Sequence, residues 1–145
     1  MADSVQQITA LVHHYCELFD TGQFDEFAAQ FERGQWHRAD PGAVAPRRWI
    51  DDNVHVYDGL PRTKHLTTNL TVQVDEQGGT AAAQSYITVL QALPGFPLQP
   101  IFAGRYRDRF SRVDGHWQWT RREVIGDLYG DVSRHVRQRG PTGDG

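Results

Sequence analysis

The chain has 145 residues, of which 39% are hydrophobic and 11% aromatic, and it carries a formal charge of −3. This size and apolar content suit one packed core and exclude an intrinsically disordered chain. The slight acidity argues against a nucleic-acid binder, which would present a basic surface. The single cysteine, Cys16, excludes a disulfide framework or a multi-cysteine metal site within one chain.

Residues 4–20 carry apolar side chains at helical spacing (Ile8, Leu11, Val12, Tyr15, Phe19), with Ser4 as a capping residue and Thr21-Gly22 as the stop. Phe24, Phe27, Ala28 and Phe31 predict a short second helix over 24–32, and Gln35–Arg38 a brief strand. The two prolines of ADPGAVAP predict a loop over 39–46. Trp49, Ile50, Asn53, Val54 and Tyr57 fit a third helix, stopped by 58–61.

The second half changes character. KHLTTNLTVQVD (64–75) is rich in Thr and Val and reads as a strand. Strands follow at 80–93, 101–113 and 116–128, with Gly78-Gly79 and Asp114-Gly115 as hairpin turns and 94–100 as a loop. The arginine-rich run RYRDRFSR (105–112) suits the wet face of a strand. Helices followed by a meander of four long strands define an α+β fold. Long hairpin strands coil, so helices laid across the concave side would leave a pocket suited to a small molecule. One domain over 1–137 and a Gly- and Pro-rich tail over 138–145 are expected.

The N-terminus lacks an apolar signal core and no apolar run reaches membrane-spanning length, so a cytoplasmic location is expected, with no membrane partner. No Gly-rich phosphate loop and no GxSxG elbow occurs. The adjacent His13 and His14 face different directions on a helix, and His37 with Asp40 spans a loop, so neither pair makes a metal site. His55 with Asp58 reads as a solvated pair, and Cys16 as packing.

Asp20 closes the first helix beside its apolar face, and a carboxylate there reaches water or has a partner. His65, at the start of the first long strand, is the candidate. A regular strand puts His65, Thr67 and Asn69 on one face and Leu66, Leu70, Val72 and Val74 on the other. The second set is the more apolar, and a bulge would change the parity. The residues alone therefore leave two readings of His65: a carboxylate-supported general base, or a histidine bonded to backbone at a strand end. Tyr15 and Asp20 lie about 140° apart around a helix, so they can flank one pocket.

The order of these features is a helix with Tyr-x4-Asp near its end, an aromatic second helix, His-x3-Asn opening a strand, and a last hairpin GRYRDRF…DGHWQWTRR. It resembles the SnoaL-like branch of the nuclear-transport-factor-2-like superfamily over residues 5–135. The resemblance implies a cone-shaped barrel in which a strongly curved, mainly antiparallel sheet wraps the N-terminal helices around a pocket. It includes scytalone dehydratase, bile-acid dehydratase, hexachlorocyclohexane dehydrochlorinase, ketosteroid isomerase and polyketide cyclases.

By that resemblance Asp20 supports His65, the general base, and Tyr15 completes the catalytic set. Arg122, beside Arg121, corresponds to an arginine of the last strand, and HLTTN (65–69) to the dehydrochlorinase strand. Arg122, Asn69, Trp36, Trp49, Tyr57, Tyr86 and Phe102 are the expected substrate-binding residues. The implied activity is a cofactor-independent, metal-free dehydratase-like lyase on a small hydrophobic, cyclic substrate. A polyketide-type cyclase or isomerase in the same pocket is one alternative, and a non-catalytic binding or assembly subunit is the other. A homo-oligomer, trimer or dimer, is expected, with Trp, Tyr and Arg of the last two strands on the outer sheet face.

Overall fold

The computed structural model describes residues 3–38 and 42–137. The proposed tail, and with it Asp40 and the middle of the 39–46 loop, lie outside the described residues.

Helix α1 (Ser4–Asp20) is capped one residue earlier than expected: Asp3, not Ser4, accepts the Gln6 amide, and the Gln6 side chain accepts the Asp3 amide in return. Its buried face is Ile8, Val12, Tyr15, Cys16, Leu18 and Phe19. The chain turns at once after Asp20 because Gly22 adopts φ +74°, and a Cβ there would meet the Gly59 carbonyl oxygen at 2.3 Å. The abrupt stop leaves Asp20 as the last helical residue. Helix α2 (Phe24–Ala29) is shorter than predicted, its end loosening into turns through Arg33. After β1 (Gln35–Arg38), β2 (Ala43–Val44) pairs back onto it, so part of the predicted loop is strand. Helix α3 (Pro46–Asn53) starts at its proline, which needs no amide partner there, and ends before Tyr57.

The four long strands are β3 (Thr63–Asp75), β4 (Thr80–Leu93), β5 (Phe96–Val113) and β6 (His116–Tyr129). The predicted loop 94–100 is a tight turn at Pro94-Gly95 followed by strand. Pro97 and Pro100 are accommodated where the β4–β5 register slips. The sheet order is β2-β1-β6-β5-β4-β3, antiparallel except for β1 beside β6. The sheet is curled rather than closed, and α1 packs against β3 on its concave side.

Two bulges decide which residues face the helices. In β3 Thr68 pairs with Tyr86 and Thr71 with Gln84, so two residues, Asn69 and Leu70, oppose Ser85 alone. Asn69 takes φ +52°. Thr63, His65 and Thr67 therefore point inward before the bulge, and Leu70, Val72 and Val74 after it, while Leu66 faces outward. In β6 the slip between Arg109 and Phe110 puts Trp117, Trp119, Arg122 and Val124 inside and leaves Arg121 outside. The outer face is consequently arginine-rich. Trp117, Trp119 and Tyr106, expected there, are buried.

The C-terminal segment closes one end of the cone. Val136 bridges to Val54, the His55 amide donates to the His135 carbonyl, and the Arg137 amide to that of Asn53.

Candidate active site

Asp20 sits where the end of α1 meets the start of β3. Its Oδ2 accepts the His65 backbone N–H at 2.7 Å, and its Oδ1 accepts the Thr63 hydroxyl at 2.8 Å. The same Oδ1 lies 2.6 Å from His65 Nδ1, and the side chains of both residues are about nine-tenths buried. Burial pushes the Asp20 carboxyl up, but the His65 ring, its charge and amide, and the Thr63 hydroxyl outweigh it and hold the group below the usual carboxylate range. A carboxylate at Nδ1 fixes the Nδ1–H tautomer and leaves Nε2 with its lone pair. The ring is further held edge-on against Phe19.

His65 borders an internal cavity of about 20 Å³, whose walls include Tyr15, Trp36, Arg38, Trp49, Phe102, Tyr106 and His135. Tyr15 accepts the Trp36 indole N–H at 2.9 Å and neighbours the Tyr106 hydroxyl, and its own O–H remains a donor. Burial raises the Tyr15 and Tyr106 phenols, so both stay protonated donors.

The remaining expected residues divide. Trp36, Trp49 and Phe102 line the cavity. Arg122 does not: it is fully buried behind the cavity, bound by Asp108 at 2.8 and 2.9 Å. Its guanidinium lies 3.6 Å from the Tyr106 ring centroid, 4.3 Å from that of Tyr15 and 4.4 Å from that of Trp119. Burial opposes the charge, and Asp108 outweighs burial and raises the guanidinium further. Asn69 and Tyr86 border a shallow hollow on the opposite face of the sheet, because the β3 bulge turns Asn69 out and Tyr86 is 54% exposed. Tyr57 also misses the cavity, donating its hydroxyl to the Arg134 carbonyl at 2.6 Å.

Two polar wall residues escaped the sequence reading. Arg38 shares a strand face with Trp36, two residues away, and stacks on Trp49 at 4.1 Å. That alternation within QWHR was a usable signal. His135 lies in a stretch that reads only as the approach to the tail, although Val132 and Val136 four residues apart hint at burial. Cys16 is buried beside Thr67 Oγ1 at 3.5 Å, and burial raises its thiol. Among the described residues no three His, Cys, Asp or Glu side chains group as a metal set, and no helix is long and apolar enough to cross a membrane.

His135 gives a pH signature. Burial, then the nearby His65 and Arg38 charges, against Asp20, lower its imidazole to about 3. An unfolded histidine titrates near ~6.5. Between those values the unfolded chain binds a proton that the folded chain refuses, so stability falls as pH drops below ~6.5. This one group contributes up to about 1.4 kcal/mol per pH unit. Urea unfolding at pH 7 and pH 5 should show the loss in the native chain and a shallower loss in His135→Phe. Asp20, held low, adds its own loss only as pH falls through the acidic carboxylate range.

The helix-filled, curled α+β sheet is the fold of nuclear-transport-factor-2-like proteins, and in this chain a carboxylate–imidazole pair lies on its inner wall. The chain belongs to the SnoaL-like domain family, whose sequence profile matches residues 1–123. No curated protein matches it. Among solved structures, it is 26% identical to a variant of Rv3472 from Mycobacterium tuberculosis, described as of unknown function. That match covers 88% of this chain and 74% of the other, with a TM-score of 0.68. A candidate scytalone dehydratase from Novosphingobium aromaticivorans is 22% identical over 97% and 94% of the two chains, with a TM-score of 0.69. The β subunit of a candidate aromatic-ring-hydroxylating dioxygenase from the same organism is 15% identical over 86% and 89%, with a TM-score of 0.65.

Proposed function

We propose that the chain is a lyase that eliminates water from a small hydrophobic, cyclic β-hydroxy ketone without a cofactor. His65 Nε2 takes the proton from the carbon between the carbonyl and the hydroxyl-bearing carbon. The electron pair moves onto the carbonyl oxygen as an enolate, to which Tyr15 donates its O–H. The enolate then expels the hydroxyl, which leaves as water with the proton carried by His65, and the neutral imidazole is restored. Asp20 steadies the imidazolium between the two steps. The observation that carries this reading is the 2.6 Å contact between Asp20 and His65 at the wall of a cavity that also holds a phenol donor. Association of copies through the outer sheet face, where Leu66 and Tyr86 are exposed, is part of the same reading.

The cavity favours a second reading. About 20 Å³ is room for a single water, so a ring enters only when a wall moves. Trp49, half-buried on the short α3, is the wall we assign to that movement. If the aromatic filling is permanent, the chain is instead a binding or assembly subunit. A cyclase is separated from a lyase by product mass, since an aldol closure conserves it.

The test is incubation with 3-hydroxy-1-tetralone, whose elimination gives 1-naphthol and water. Fluorescence and mass should report naphthol formed faster than in buffer. Buffer-level rates would remove the lyase reading for this substrate class and favour the filled-interior subunit.

A further inference from the structure

His135 is 2% exposed and borders the cavity, and its Nδ1 is sealed from solvent with no hydrogen-bond partner among the described residues. Buried polar atoms are nearly always satisfied, and leaving one bare costs stability. Its backbone is firmly placed by the amide of His55 and by its own amide bond to Val132. The ring stands edge-on to Phe19 and 6.3 Å from the His65 ring, centroid to centroid. That separation is too great for a direct bond between the rings and suits an atom of a guest between them. The residue lies beyond the 1–123 stretch matched by the family profile.

We propose that His135 is the specificity contact of the cavity, supplying from its imidazole the hydrogen bond that selects a hydroxyl-bearing guest next to His65. In the elimination reading, on which this rests for the identity of the guest, that hydroxyl is the leaving group. His135 orients it towards the protonated His65 and does not itself transfer a proton. An uncharged second imidazole suits the role. A second cation beside His65 would oppose the charge that the base must accept.

The test is equilibrium binding, independent of turnover. Affinities for 2-tetralol, which keeps the alcohol on the ring position of the leaving hydroxyl and lacks the carbonyl, and for its near-isostere 2-methyltetralin are measured by calorimetry for the native chain and for His135→Phe. The native chain should prefer the tetralol by about tenfold, the effect of roughly one hydrogen bond to a buried group. His135→Phe should bring that preference to about threefold or less, and His135→Gln, which retains a hydrogen-bonding side chain, should keep most of it. An unchanged preference in His135→Phe, or no preference in the native chain, would overturn the proposal. Should the phenylalanine variant fail to fold, the ring nitrogen resonances of His135 in the native chain decide. They should move on adding 2-tetralol and stay fixed with 2-methyltetralin, and no movement with the tetralol would overturn the assignment. The hydroxytetralone reaction tests His65 and Asp20, so either claim can fail while the other stands.

Discussion

His65→Ala should lower turnover of the hydroxytetralone by about 10²–10⁴-fold, the range a positioned general base contributes. The fold should survive, because the ring caps a cavity and among the described residues makes its one hydrogen bond to Asp20. Asp20→Asn should lose about a hundredfold or more, for a different reason. The amide offers one acceptor oxygen where the carboxylate offers two, and three donors compete for it: the His65 amide, the His65 Nδ1–H and the Thr63 hydroxyl. The imidazole loses its fixed tautomer, and a bare buried donor costs about 1–3 kcal/mol of stability. Turnover is followed by naphthol fluorescence and folding by circular dichroism. Native-like rates in either variant would remove the base from the mechanism.

The largest stability effect should come from Arg122 and Asp108. They pair across β5 and β6 in register, both side chains fully buried, with two charge-assisted hydrogen bonds. Removing one partner strands the other charge in the core. Arg122→Met or Asp108→Asn should each cost about 3–5 kcal/mol in urea unfolding. The double variant Asp108→Leu with Arg122→Met should be much less destabilised than the sum, since no charge is left uncompensated. Additive losses would mean that the arginine's packing between Tyr15, Tyr106 and Trp119 dominates over its charge. Because Arg122 lies behind Tyr15 and Tyr106 rather than in the cavity, its effect on turnover should follow from disturbing these phenols.

The helix-then-meander order, the hairpin turns and the Asp20–His65 pairing by family resemblance were legible in the chain. The facing of side chains was not, because a single extra residue inverts a strand's alternation. On pattern alone His65 shared a face with Asn69, opposite the apolar set. The bulge at Asn69 brings His65 and the apolar set to the same side, and Asn69 itself goes outside. The choice between Arg121 and Arg122 turns on the second bulge, which strict alternation from Trp117 and Trp119 would have decided wrongly. Tyr86 failed for a simpler reason: an aromatic on a strand can face either way, and composition does not say which. His135 was invisible because its burial depends on a tertiary bridge, Val54 to Val136, between segments about eighty residues apart in sequence.

The central claim is that Asp20 holds His65 as a base with a bare Nε2 at the cavity wall. Nitrogen NMR of histidine-labelled protein in mildly alkaline buffer reads this directly. The native chain should show His65 with its proton on Nδ1 and none on Nε2, and Asp20→Asn should shift the ring towards the opposite tautomer. A native His65 carrying its proton on Nε2 would contradict the account.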